Sequence, residues 1–318
     1  MAPSQTGHVP SRPVICIVGP TASGKSALAQ RIALELDGEI VSADSMQIYR
    51  GMDIGTGKVL PEQRLVRHHC LDIVDPGEQF SAALYQQMAR DCFSEIDGRG
   101  KRCLLCGGTG FYVRAAIDCY DFPAGEQIGN EVRNRYNAFA REHGSHALWL
   151  ELQSTDPESA VIIPENDVKR IVRAFELLSD GTTYAKQKEK LAEIKQWCDV
   201  QMIGLAVEPG LLRERIDARV DEMVDNGLVE EVELLLRKGF REGITAPQAI
   251  GYKEIVDVID GICTLDEAID RIKTATHRYA KRQRTWFRKD KRIHWIDAST
   301  LNLDYMAAQT LEALLQMH

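Results

Sequence analysis

Short apolar runs that end in small or acidic residues alternate along the chain with stretches whose apolar positions recur at helical spacing. That alternation is the pattern of a parallel α/β sheet. The runs predict strands at Val14–Val18, Glu39–Ser42, His69–Ile73, Cys103–Cys106, Gln201–Val207 and His294–Ile296. Between the fourth and fifth, from about Gly125 to Trp197, the pattern is helical almost throughout and contains no buried-strand run. A helical insertion into the α/β core is predicted there, entered through the turn-forming Asp121-Phe122-Pro123-Ala124-Gly125. Within it, Asn166 or Asp167 is placed to cap a helix with Val168, Ile171, Val172, Phe175 and Leu178 on one arc and Lys169, Arg170 and Arg173 on the other. The expected division is a core of residues 12–124 and 198–297, a helical insertion of residues 125–197 and a C-terminal helix in 298–318.

Composition narrows the class. With 318 residues, 44% apolar and 27% charged, the chain is long enough for two domains or one domain with a large insertion, and its balance excludes a disordered or fibrous protein. The net charge of −8 argues against a molecule that is basic all over, so a nucleic-acid partner needs a local patch. Residues 269–292 provide one, with ten Lys/Arg against two acids. The polar stretch Met1 to Arg12 and the absence of any uninterrupted 18-residue apolar run lead us to expect a soluble, cytoplasmic protein. The eight cysteines are scattered, mostly in apolar runs, and read as reduced core residues. Cys103 and Cys106 are three apart on a strand and should face opposite ways, as should the adjacent His68 and His69, so neither pair reads as a metal site.

Gly19-Pro20-Thr21-Ala22-Ser23-Gly24-Lys25-Ser26 matches G-x-x-x-x-G-K-[ST] in full, follows a predicted strand and opens the helical run Ala27 to Leu36. Its glycines let backbone N–H groups curl around phosphate oxygens, Lys25 adds a cation, and the Ser26 hydroxyl is a candidate ligand for Mg²⁺. The ligand should carry a di- or triphosphate. A nucleotide hydrolase would normally show an apolar strand ending in a metal-holding Asp, whereas Cys103-Leu104-Leu105-Cys106 runs into Gly107-Gly108-Thr109-Gly110. The acid at a strand's carboxyl end is Asp44, where open α/β sheets bind ligands; it is a candidate base or metal holder, or a helix cap. The glycines after Cys106 permit close backbone approach to a ligand, and Thr109 offers a hydroxyl. Arg215 and Arg219 are four apart in a helical run and share a face, whether to solvent or to the phosphate loop.

Taken in order, the phosphate loop, the segment Asp44-Ser45-Met46-Gln47-Ile48-Tyr49-Arg50-Gly51-Met52-Asp53-Ile54-Gly55-Thr56, the Gly107-Gly108-Thr109-Gly110 turn, Ile250-Gly251-Tyr252-Lys253-Glu254 and Lys281-Arg282-Gln283-Arg284-Thr285-Trp286-Phe287 resemble the bacterial tRNA dimethylallyltransferase family from about Pro13 to Asp297. The resemblance implies a P-loop fold turned to prenyl transfer, in which residues 19–26 hold the diphosphate of dimethylallyl diphosphate. The exocyclic N6 of the adenine just 3′ to a tRNA anticodon would attack the allylic carbon, and diphosphate would leave. Asp44 matches the family's general base, while Thr109, Arg219 and Lys25 would steady the reacting centre and the departing group. Contacts to the tRNA anticodon stem-loop would fall on Asp44, Ser45, Met46, Gln47, Thr109, Arg133, Lys169, Arg170, Ile171, Val172, Arg173, Gln248, Gly251, Tyr252, Lys253, Lys281, Arg282, Gln283, Arg284 and Arg288. Mg²⁺, held through Ser26, is the expected cofactor. A monomer without an obligate protein partner is expected.

Three positions depart from the family pattern: Gly57 stands where Ala is usual, Ile163-Pro164-Glu165-Asn166-Asp167 replaces a His-Pro-Asn-Asp signature, and Lys169 replaces a common Gln or Arg. Competing expectations are a prenyltransferase acting on free AMP, a small-molecule kinase using ATP, and a non-catalytic RNA-binding protein that retains the loop.

Overall fold

The computed structural model describes residues 8–120, 122 and 130–317. Its strands are β1 (Val14–Val18), β2 (Gly38–Ser42), β3 (His68–His69), β4 (Arg102–Gly107), β5 (Val200–Ala206) and β6 (Ile293–Asp297). They form one sheet in the order β3-β2-β4-β1-β5-β6, with every pairing parallel. The helices before the insertion are α1 (Lys25–Glu35), α2 (Ala82–Gly98) and α3 (Gly110–Ile117). Within it lie α4 (Glu131–Thr155), α5 (Pro157–Ile162), α6 (Val168–Ser179) and α7 (Tyr184–Ala192). After it come α8 (Pro209–Asp225), α9 (Leu228–Leu236), α10 (Tyr252–Ile259), α11 (Leu265–Phe287) and α12 (Leu303–Gln316).

The strand alternation builds two cores. Val14, Cys16 and Val18 of β1 face a cluster completed by α2 and α3, while Ile15 and Ile17 face one completed by α1, α8, α9, α10 and α12. β4 divides in the same way, Cys103 with Leu105 and Leu104 with Cys106, so the two cysteines do point oppositely. None of the eight cysteines forms a disulfide, but the expectation of core placement fails for Cys119, which is exposed, and for Cys92 and Cys263, which are half-buried.

The predicted third strand is cut short. It ends at His69 because Cys70 (φ 59°) and Asp72 (φ 55°) adopt left-handed backbone. The N–H groups of Asp72 and Ile73 then donate to the carbonyls of Gln47 (3.2 Å) and Ile48 (2.7 Å) instead of extending the ladder. Tertiary hydrogen bonding overrides the apolar pattern of this segment.

The described residues divide into two compact units, Met1–Asp118 with Gln196–His318, and Cys119–Lys195. The larger unit is bridged at its two open ends, where Asp118 pairs antiparallel with Gln196 and the N–H of Trp197 donates to Ile117 O at 2.7 Å. In the smaller unit Cys119 N–H donates to Lys195 O at 2.8 Å. Its core gathers Leu148, Leu152, Ile171 and Phe175, with Tyr136 stacked on Phe175 at 3.7 Å. Asp167, not Asn166, caps α6 by accepting from Arg170 N–H at 3.2 Å. Of the turn expected to open the insertion, Asp121, Pro123, Ala124 and Gly125 lie outside the described residues.

Candidate active site

The site forms at the carboxyl ends of β1, β2 and β4. Gly24 (φ 88°) begins α1 in a left-handed conformation that a glycine adopts without strain. Lys25 Nζ folds back over the loop to Pro20 O at 3.1 Å. From the far side of the chain, the buried Gln283 of α11 accepts from Thr21 N–H (2.9 Å) and donates to Gly108 O (3.0 Å), tying the phosphate loop to the turn after β4.

That turn was expected to bring its backbone against a ligand. Its glycines also admit neighbouring parts of the protein: a Cβ at Gly107 would stand 2.2 Å from Ala43 O, one at Gly108 2.2 Å from Gln283 Nε2, and one at Gly110 2.1 Å from the Trp286 ring. Close approach is needed by β2 and α11. Thr109 Oγ1 accepts from Ser45 N–H at 3.1 Å, and Asp44 Oδ1 accepts from Met46 N–H at 2.9 Å. These bonds fix the turn of backbone that carries the carboxylate.

A second support lies under residues 53–58. The Glu231 carboxylate of α9 accepts N–H groups from Asp53 (3.0 Å), Ile54 (2.8 Å) and Gly55 (3.2 Å), and the Tyr252 hydroxyl at 2.6 Å. Lys58, buried, donates to Asp53 and Asp72 at 2.6 Å each. Gly57, held at φ 57°, leaves a gap filled by Arg219: a Cβ there would lie 1.6 Å from its Nη2. The glycine that departs from the family pattern thus has a local reason in this chain.

These elements enclose an open cavity of about 320 Å³. Thr21, Lys25 and Ser26 line its phosphate-loop side, Asp44 stands on the β2 side, and Arg219 enters from α8. Ile216, Val220 and Met223 of α8, with Ile272 of α11, form an apolar wall. Burial pushes the Lys25 ammonium pKa down, opposed by Cys106 and Asp44; burial likewise pushes Arg219 down, opposed by Asp44. Two half-buried cations against one carboxylate leave the cavity suited to a polyanion.

Of the residues singled out from sequence, Ser45, Met46, Gln47, Gln248, Gly251, Tyr252, Arg282 and Gln283 also line this cavity. Thr109 stands behind Ser45. The side chains of Tyr252 and Gln283 are buried, and their polar atoms hold Glu231 and the phosphate loop. Lys281 and Arg288 are exposed on or beside α11, and Arg284 and Arg288 flank a shallow depression over Trp295. In the helical unit, Lys169 and Arg170 are exposed, whereas Ile171 and Val172 belong to the core and present no side-chain surface. Arg133 and Arg173 both pair with the buried Glu176.

Sequence reasoning missed Tyr279 and His68, which line the cavity. Burial and Asp44 push the Tyr279 hydroxyl up to about 12, and it bonds with Thr109 and Gln283. Thr276, Tyr279 and Gln283 follow an i, i+3, i+7 spacing, the one signal that pointed to this face of α11.

Comparison with known proteins agrees with the geometry. The "IPP transferase" family model matches residues 47–290, and the "Isopentenyl transferase" model matches residues 12–69. The tRNA dimethylallyltransferase of Carboxydothermus hydrogenoformans is 46% identical over 296 residues, 92% of this chain and 94% of that protein. The crystal structure of a tRNA delta(2)-isopentenylpyrophosphate transferase from Staphylococcus epidermidis is 35% identical with a TM-score of 0.70, covering 96% of this chain and 100% of that one. A eukaryotic dimethylallyltransferase acting on tRNA is 26% identical with a TM-score of 0.77, over 95% of this chain and 78% of the other. With the phosphate loop, the β2 carboxylate and the inserted helices all inside the matched span, the chain belongs to the IPP transferase family.

Proposed function

We propose that this protein transfers the dimethylallyl group of dimethylallyl diphosphate to N6 of the adenine 3′ to the anticodon of tRNA, releasing diphosphate. The observation that carries this reading is the composition of one cavity. A phosphate loop with two half-buried cations, a set of hydrocarbon side chains and one carboxylate just beyond β2 line the same space.

The loop's N–H groups, Lys25 and Arg219 bind the diphosphate and stabilise the charge that grows on it as the C1–O bond breaks. Ile216, Val220, Met223 and Ile272 take the five-carbon unit and keep water from the allylic centre. The adenine amine is neutral and weakly nucleophilic; as the N6–C1 bond forms, Asp44 accepts the N6 proton, so no cationic product accumulates. The base must be turned out of the anticodon loop to reach this carbon. Exposed Lys281, Arg282 and Arg288 with half-buried Arg284, none ion-paired among the described residues, are the cations that would hold the surrounding phosphates.

The donor set fits Mg²⁺. Ser26 offers a hard hydroxyl oxygen at the cavity, and Mg²⁺ keeps several waters and takes the rest of its shell from substrate phosphates. Among the described residues no cluster of three His, Cys, Asp or Glu competes for it. When bound, the ion neutralises charge on the diphosphate. We propose that the protein acts as a monomer. Among the described residues no helix is long and apolar enough to cross a membrane, and we place the activity in the cytoplasm with its RNA.

Mass spectrometry of tRNA nucleosides after incubation with dimethylallyl diphosphate tests the reading. Prenylated adenosine in the anticodon loop is expected. Prenylation of AMP alone, or transfer of label from the γ-phosphate of ATP to an alcohol, would replace it.

A further inference from the structure

At the β3 edge of the sheet, away from the substrate cavity, three polar groups and a thiol pair meet. Glu39 of β2 is buried, and its carboxylate accepts from His69 Nε2 at 2.7 Å and from the Arg99 guanidinium at 2.8 and 3.2 Å. The imidazole also interacts with the half-buried thiol of Cys92, on α2. Strand alternation would send the next residue, Cys70, to the opposite face. Its left-handed backbone (φ 59°) instead keeps it in the same cluster as Cys92, and its thiol bonds with that of Cys92. A non-glycine residue held at positive φ is uncommon and concentrates at functional sites.

We propose that Cys92 is a peroxide-reactive nucleophile, with His69 and Glu39 as its base and orienting acid and Cys70 as its resolving thiol. The arrangement repeats the order of nucleophile, base and orienter seen in cysteine nucleophiles, and β3 lies at the open edge of the sheet.

The electrostatics agree with the geometry. The hydrogen bond from Cys70, and then the His69 ring, bring the Cys92 thiol down to about 6, although burial and Glu95 oppose them. Burial works against the His69 imidazolium, but Cys92 and Glu39 outweigh it and its pKa rises. Cys70, donating to Cys92 and buried, is pushed far up. These shifts favour the thiolate of the pair on Cys92, beside the His69 ring.

The steps balance with hydrogen peroxide as the oxidant. The Cys92 thiolate attacks one peroxide oxygen and the O–O bond breaks. Sulfur loses two electrons and becomes a sulfenic acid, and the departing hydroxide takes the His69 proton and leaves as water. His69, now neutral, removes the Cys70 proton; Cys70 sulfur attacks Cys92 sulfur, and the S–O bond breaks. Hydroxide leaves with the returned proton as a second water. The product is a Cys70–Cys92 disulfide.

The test uses the full chain and does not depend on the transfer reaction. One equivalent of hydrogen peroxide, followed by peptide mapping, should show a Cys70–Cys92 disulfide with Cys119 and Cys263 still free. Cys70→Ser should stop at a Cys92 sulfenic acid that dimedone captures. Iodoacetamide alkylation of Cys92 in the unaltered protein should reach half its maximal rate near pH 6, against about 8.5 for a free cysteine. His69→Gln should slow it at least tenfold at pH 7. Oxidation of Cys119 or Cys263 ahead of Cys92, or an alkylation midpoint at the free-cysteine value, would overturn the proposal, and the second readout needs no variant to fold.

Discussion

At residue 57 a methyl group has no space, because the Arg219 guanidinium occupies it and the backbone sits at φ 57°. Gly57→Ala must displace the half-buried Arg219 guanidinium from the cavity, so its effect should fall on catalysis more than on folding. Overpacking of this kind costs about 1–3 kcal/mol. We expect kcat/KM to fall roughly ten- to hundredfold by that amount, with tRNA binding retained; unchanged kinetics would mean that Arg219 is not held where the structure places it. Asp44→Ala should likewise retain tRNA binding while lowering kcat by about 10²–10⁴, the usual contribution of a positioned proton acceptor. Near-normal turnover would remove Asp44 from the mechanism. At this scale the sequence was partly legible. Asp44 was found because it follows the end of an apolar strand and Lys25 because the phosphate-loop motif contains it, whereas Tyr279 was not, since nothing local distinguishes a ligand-facing tyrosine from a packed one.

Among the elements, α11 does two jobs on two faces. Its buried face carries Gln283 and Ala280 into the core, and its exposed face carries Lys281, Arg282 and Thr285. Arg271, Lys273 and Arg292, counted in the same basic stretch, are held by Asp257, Asp221 and the pair Asp118 and Asp290. Only part of the local positive charge is therefore open to RNA. Replacing Lys281, Arg282 and Arg284 together with Ala should weaken tRNA binding. It should also flatten log K against log salt by about 2, if each cation meets one single-strand phosphate worth about 0.7. An unchanged slope would make this an ordinary solvated face. Strands β1, β2, β4 and β5 were legible as apolar runs, but β3 was not, because its ending depends on the carbonyls of Gln47 and Ile48, which accept from Asp72 and Ile73 N–H. The glycines after β4 were visible, yet what they admit is visible only once α11 is seen against them.

In the whole molecule, the net −8 gave no hint of an RNA substrate, because ion pairing and position decide which cations face outward. The helical insertion was legible from its periodicity. Its margins were not, since they are set by pairing between residues far apart in sequence: Asp118 with Gln196, and Ile117 with Trp197. That pairing has a consequence for engineering. The chain leaves the sheet-bearing body and re-enters it through neighbouring points, so a short glycine-rich bridge from Asp118 to Gln196 should replace the whole of Cys119–Lys195. The shortened protein should melt cooperatively and still bind inorganic diphosphate, with loss of cooperative melting as the contrary result. The helical module is thus grafted at a single stem, so it can be exchanged between relatives with the sheet-bearing body left intact.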